Sequence, residues 1–254
     1  MTALWQPVSA CGDRCRSGAG PHATRWTAGL RVAAVFGVLL IGLLPAMLGG
    51  VVLRALARAL LAVLGVRLVV RGPAPRPGSL LVANHISWLD ILALVAVTPA
   101  HLVAKHDVRA WPAVGELAGR IGTIFVDRGR PRSLPETVGE VTAALRAGRS
   151  VAVFPEGTTY CGAERGDFRP AFFQSAIDAG APVVPASISY DTAEASFIGD
   201  DTLLDSIRRI ARTRRTTITV ITAPALRPAA GADRRVLARA AQRSMAGHGY
   251  RLAA

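Results

Sequence analysis

Its 254 residues give room for one substantial globular domain with an appendage and exclude two large domains. The net charge of +13 suits an anionic neighbour, either a membrane surface or nucleic acid, while 51% hydrophobic residues and a mean hydropathy of +0.34 place part of the chain against lipid. The three cysteines, Cys11, Cys15 and Cys161, are odd in number and lack a second closely spaced pair, so their spacing supports neither a disulfide framework nor a zinc site.

Residues 1–28 mix Gly, Pro, Ser and Arg without a hydrophobic period and read as a disordered or weakly ordered leader with no chemistry, its cysteines in a mobile tail. From Val32 to Leu53 no charged residue occurs, and a helix of that length, rising ~1.5 Å per residue, crosses a bilayer core of about 30 Å. Pro45, Gly49 and Gly50 interrupt the run, and a second apolar stretch, Leu53 to Val66, follows with Arg54 and Arg58. One spanning helix and two shorter helices embedded in one leaflet fit this pattern equally well. Residues 29–71 are therefore expected to be a membrane-anchoring segment, retained rather than cleaved, since arginines and not a small-residue cleavage site come after it.

After the break GPAPRPG at residues 72–78 the pattern changes to short β-type runs separated by helical ones: SLLVA, GTIFVD, SVAVFP, PVVPASISY and TITVITA. Helices are expected over Val138–Arg146, Phe172–Ala179 and Arg234–Ala246. The alternation predicts an α/β fold over 72–254, with a mixed, largely parallel sheet flanked by helices and the membrane-embedded helical segment before it.

Polar residues cluster at three of the strand ends. NHISWLD follows SLLVA; on a regular helix His85 and Asp90, five residues apart, would point about 140° away from each other. His85 is therefore expected in the turn and Asp90 on the helix after it. There Asp90 can fix the imidazole tautomer, leaving the other ring nitrogen to take a proton from a hydroxyl: a general-base dyad with no protein nucleophile. GTIFVDR brings Arg128, able to grip a phosphate or carboxylate with two hydrogen bonds, and FPEGTT brings Glu156, Gly157 and Thr158. Gly157 and Thr158 let backbone N–H groups and a hydroxyl approach an anion, and Glu156 can either orient these donors or bind a substrate hydroxyl. Each block alone is as readily an ordinary turn, cap or surface ion pair. His101 and His106 lack metal-site spacing, and Ser87 has no GxSxG around it. Trp88 and Trp111 fit a lipid interface or a packed core.

Together, in this order, NHISWLD, GTIFVDR, FPEGTT and the Val184–Pro185 pair of VVPASISY resemble the glycerolipid acyltransferase family that includes the 1-acylglycerol-3-phosphate acyltransferases, over about residues 70 to 225. The resemblance implies transfer of a fatty acyl group from acyl-CoA or acyl carrier protein, as co-substrate, to the free hydroxyl of a lysophospholipid. His85 would be the base, Asp90 its orienting partner, and Arg128, Glu156, Gly157 and Thr158 the acceptor-binding positions, with no metal or other cofactor. It also implies paired N-terminal membrane helices, matching residues 32–66. Two departures bear on the acceptor: Thr159 stands where the family often has an arginine, and Arg169–Pro170 where Lys-Gly is common. The FPEGTT form is similar to members acting on lyso-ornithine lipids. A lipid hydrolase, with water in place of the lipid hydroxyl, and an inactive lipid-binding protein are the rival readings. Without a recognised reading motif, nucleic acid is not an expected partner. Because the acyl carriers are cytosolic, the catalytic domain is expected at the cell membrane, facing the cytoplasm.

Overall fold

A computed structural model of the protein describes residues 7–16, 22–42, 50–111, 114–127 and 129–246. Seven strands form one sheet: β1 (Val66–Arg71), β2 (Leu80–Ala83), β3 (His101–Lys105), β4 (Ile124–Val126), β5 (Val151–Val153), β6 (Val183–Tyr190) and β7 (Thr216–Thr222). Their order is β1-β7-β6-β2-β5-β3-β4. Neighbours run parallel except β6 and β7, which are antiparallel, so the sheet is mixed and largely parallel as the alternating pattern predicts. The helices are α1 (Arg25–Gly42), α2 (Gly50–Val63), α3 (Leu89–Val97), α4 (Val114–Arg120), α5 (Leu134–Arg146), α6 (Ala171–Ala179), α7 (Leu203–Arg212) and α8 (Arg234–Ala246).

The short central strands are apolar on both faces because helices cover both faces. Along β2, Leu81 and Ala83 enter one core with Leu60 and Leu61 of α2 and Leu89 and Leu94 of α3. Leu80 and Val82 enter the other, with Val141 of α5, Phe173 of α6 and Leu237 of α8. Strict alternation of side chains along a strand is what allows four residues to serve two cores. α6 ends at Gly180, whose φ of +62° closes the helix in the left-handed conformation and turns the chain into β6.

The N-terminal third departs most from the expectations. Helix α1 stops at Gly42 and α2 begins at Gly50; residues 43–49, with Pro45, lie outside the described set. Among the described residues no helix is long and apolar enough to cross a membrane. Two shorter helices are thus present, and neither stands apart from the domain. α2 packs on α3 through buried Leu56, Leu60 and Leu61, and α1 packs against α2 and α7. The Arg31 guanidinium donates to the carbonyls of Ala211, Thr213 and Arg214, satisfying the C-terminal end of α7, where unpaired carbonyls collect. Val66–Arg71, assigned by its hydropathy to the anchor, is β1, an edge strand paired with β7. Within 1–28, expected to be a weakly ordered leader, residues 7–16 pack onto the domain: Cys11 is buried, and Arg16 is bonded to Asp201 and to the Ile198 carbonyl.

Candidate active site

The site forms where the sheet's two central strands end. Beyond Ala83, the buried Asn84 amide takes over from the β2–β6 ladder: its Nδ2 donates to the Ile188 carbonyl at 3.0 Å and its Oδ1 accepts from Ile188 N at 2.8 Å. This fixes the exit direction of the chain and delivers His85 to the loop that precedes α3. Asp90 follows in the first turn of α3, where the positive end of the helix dipole favours a carboxylate.

His85 Nδ1 and Asp90 Oδ2 are 2.9 Å apart. The same oxygen accepts from Ile86 N at 2.6 Å and Ser87 N at 2.8 Å, while the Tyr190 hydroxyl donates to Oδ1. Asp90 is 0% exposed, and four donors converge on its two oxygens, which is what a fully buried carboxylate requires. Because the carboxylate also caps the turn Ile86–Ser87, one side chain sets both the shape of the His85 loop and the tautomer of the ring: Nδ1 carries the proton toward Asp90 and Nε2 is the basic nitrogen. The opposite constraint comes from Phe154, whose ring stacks on the imidazole at a centroid distance of 4.0 Å and an interplanar angle of 15°. The His85 side chain remains 17% exposed, so a reactant has access to it.

FPEGTT leaves β5 directly beside this loop. Glu156 turns inward: Oε2 accepts from His85 N at 2.7 Å and Oε1 from Gly166 N at 3.3 Å. Both oxygens are committed to the backbone N–H groups of His85 and Gly166 and the residue is buried, so in place of orienting the Gly157 and Thr158 donors it braces the His85 loop. Tyr160 N in turn donates to the His85 carbonyl at 2.8 Å, so the His85 loop is clamped at both backbone groups of that residue. Gly157 adopts a φ of +77°, and a Cβ there would lie 2.8 Å from Pro7 Cγ, so this turn needs glycine for conformation and for space.

Burial pushes the Glu156 carboxyl up from 4.5 to about 7, outweighing the two backbone N–H bonds that favour its charged form. The folded chain therefore keeps a proton that the unfolded chain has lost between these values. Stability should fall as pH rises from 4.5 to about 7, by roughly 3 kcal/mol from this group, with no contribution to the slope outside that window. Denaturant unfolding at a series of pH values checks this: the Glu156→Gln chain should lack the part of the slope that wild type shows, and identical slopes would contradict the assignment.

The other expected site residues are placed as follows. Thr158 is half-buried in the same turn as Gly157. Arg128 lies outside the described residues; its neighbour Asp127 caps the β4 turn through Gly129 N at 2.8 Å, two strands out from β5 along the same sheet edge. Thr159 donates its hydroxyl to the Phe197 carbonyl, a tie within the protein. Trp88 Nε1 donates to Ser206 Oγ at 3.0 Å, and its half-buried ring packs against the core. His101 Nδ1 donates to the Gly122 carbonyl, and His106 stands edge-on to Phe125. Two contributors were missed from sequence, Tyr190 and Phe154. A tyrosine closing the buried run VVPASISY needs a partner for its hydroxyl, and that requirement was the available signal.

The acyltransferase family profile matches residues 67–189. A lyso-ornithine lipid O-acyltransferase from Pseudomonas aeruginosa is 41% identical over 69% of this chain and 69% of its own length. A 1-acyl-sn-glycerol-3-phosphate acyltransferase from Neisseria meningitidis is 41% identical over 53% of this chain, which spans about half (54%) of that relative. Among solved structures, the 1-acyl-sn-glycerophosphate acyltransferase PlsC from Thermotoga maritima superposes with a TM-score of 0.61 at 20% identity, over 77% of this chain and 76% of its own, a likeness of fold.

Proposed function

The chain belongs to the acyltransferase family, and from that premise we propose that it transfers a fatty acyl group from a thioester, acyl-CoA or acyl carrier protein, to the free hydroxyl of a lysolipid, with His85 as general base. The observation that carries the reading is the His85–Asp90 pair at 2.9 Å, built with no serine or cysteine nucleophile in the pair. His85 Nε2 removes the proton as the acceptor oxygen attacks the thioester carbonyl carbon. The carbon–sulfur bond of the tetrahedral intermediate then breaks, and the departing thiolate takes the proton back from the imidazolium. The products are an ester and a free thiol. Asp90 stabilises the transient imidazolium, and Phe154 keeps the ring in plane for both transfers.

For the acceptor, the position where the family often has an arginine holds Thr159, whose hydroxyl is spent on the Phe197 carbonyl and gives no cation to a phosphate. This favours a lyso-ornithine lipid, the acceptor in the name of the Pseudomonas relative, over lysophosphatidic acid. Supplying purified protein with an acyl thioester and each lysolipid in turn tests the choice by mass spectrometry. Faster diacyl formation from lyso-ornithine lipid supports it, and faster formation of phosphatidic acid reverses it.

An acceptor of this kind resides in a bilayer, and the surface offers a matching contact. Trp26, Leu30, Phe36 and Leu40 of α1 are 86%, 70%, 60% and 71% exposed. At ~100° per residue they fall within an arc of about 120°. We assign this face to the membrane interface, with the α/β domain on the cytoplasmic side where acyl carriers are found. Replacing Trp26, Phe36 and Leu40 with Gln should weaken sedimentation with anionic phospholipid vesicles by at least about tenfold, given the apolar area lost, and leave the melting temperature unchanged. Undiminished vesicle binding would place the contact elsewhere.

A further inference from the structure

The fold gathers the three cysteines that their sequence spacing kept apart. Cys11 lies on the N-terminal segment, Cys15 in the 3-10 turn Asp13–Arg16, and Cys161 one residue beyond Tyr160 of the active-site loop. Their three Sγ atoms all lie within 4.8 Å of one another, and all three are free thiols. Sulfurs bound to a tetrahedral Zn²⁺ at ~2.3 Å stand about 3.8 Å apart, so a contraction of about 1 Å at most brings this triangle to ligand geometry. A disulfide would use two of the sulfurs and leave the third unexplained.

Cys161 N donates to Cys11 Sγ at 3.3 Å and Glu164 N to Cys161 Sγ at 3.4 Å, backbone bonds of the kind that stabilise negative charge on metal-bound sulfur. Cys11 and Cys161 are buried with Ile198, Cys15 and Tyr160 pack against them, and the cationic Arg16 follows Cys15 directly. Within 7–16 Cys11 is the one buried apolar residue and Arg16, bonded to Asp201 and the Ile198 carbonyl, is the polar anchor; a metal ion held by the sulfurs would add its binding free energy to both.

We propose that Cys11, Cys15 and Cys161 are thiolate ligands of a Zn²⁺ ion, with the fourth tetrahedral position left to water or an external ligand. The ion staples the N-terminal segment across the active-site loop. Pro7 closes over Gly157, Gly162 packs under Ile86, and Tyr160 N holds the His85 carbonyl, so the staple fixes the loop that carries the base without touching the reacting atoms. Its role is structural.

The test uses the full chain, expressed with zinc in the medium and purified in detergent under reducing conditions without chelator. Elemental analysis should find about one zinc per chain in wild type and none in Cys11→Ser or Cys161→Ser. Metal-free wild type titrated with Co²⁺ should develop thiolate-to-cobalt charge-transfer absorption, a readout that depends on no variant folding. Chelation should expose residues 7–16 to protease while the rest of the domain stays resistant. Wild type that is isolated zinc-free and gives no charge-transfer band with Co²⁺ overturns the proposal. Zinc retained in every cysteine variant overturns it too, as does an intact mass showing a disulfide between two of the three residues in the reduced preparation.

Discussion

Asp90→Asn should lower kcat by about 10²- to 10⁴-fold while the chain still folds. The amide has one orientation that the site accepts. With its carbonyl at the Oδ2 position it still receives Ile86 N and Ser87 N, and its NH₂ group then faces the Tyr190 hydroxyl, which can turn to accept. The turn and the direction of the ring survive, but the negative charge that stabilises the imidazolium is gone, and that stabilisation is needed only as the proton moves. Steady-state kinetics beside a thermal melt check this. The expected pattern is a large fall in kcat, little change in KM for the lysolipid and a melt within a few degrees of wild type. A kcat close to wild type would show that Asp90 serves the turn and not the reaction.

His85→Ala should abolish transfer, with a loss of at least about 10²-fold in kcat. Its fold should persist, because the bonds to Glu156 and from Tyr160 N use the His85 backbone, which alanine retains. The deleted ring stacked on Phe154 and was 17% exposed, so the space it leaves opens to solvent. Added imidazole should therefore enter and recover part of the rate, an effect that a purely structural histidine would not give. Full activity in the purified variant, measured with the same thioester and lysolipid, would remove His85 from the mechanism.

The geometry of the candidate site was legible where it is local. His85 and Asp90 are five residues apart on a strand–turn–helix, and a spacing incompatible with one helix face already required the turn that the structure contains. The central strands were legible because burial on both faces leaves uninterrupted apolar runs, and the alternation of strands and helices gave the sheet its parallel character. What was not legible depends on contacts between distant residues. Tyr190 reaches Asp90 across 100 positions, and Cys11 reaches Cys161 across 150, distances at which no periodicity or spacing carries information. Glu156 was ambiguous for a related reason. A glutamate in a strand-end turn can face outward to a ligand or inward to backbone N–H groups, and only the arrival of His85 N and Gly166 N decides between them. β1 was misassigned because VRLVVR, an edge strand, has the composition of the apolar helices before it, and its pairing partner β7 lies about 150 residues downstream.

The same base can activate a lysolipid hydroxyl or water, and acyl transfer requires that the acyl group pass to the hydroxyl. The most direct test counts products from one reaction: purified wild-type protein, acyl-CoA and lyso-ornithine lipid in mixed micelles, with free thiol and each lipid species quantified together. One molecule of diacyl lipid is expected for each thiol released, and neither product above background with His85→Ala. Thiol release matched by free fatty acid, with the lysolipid unchanged, would contradict it and make the protein a thioester hydrolase.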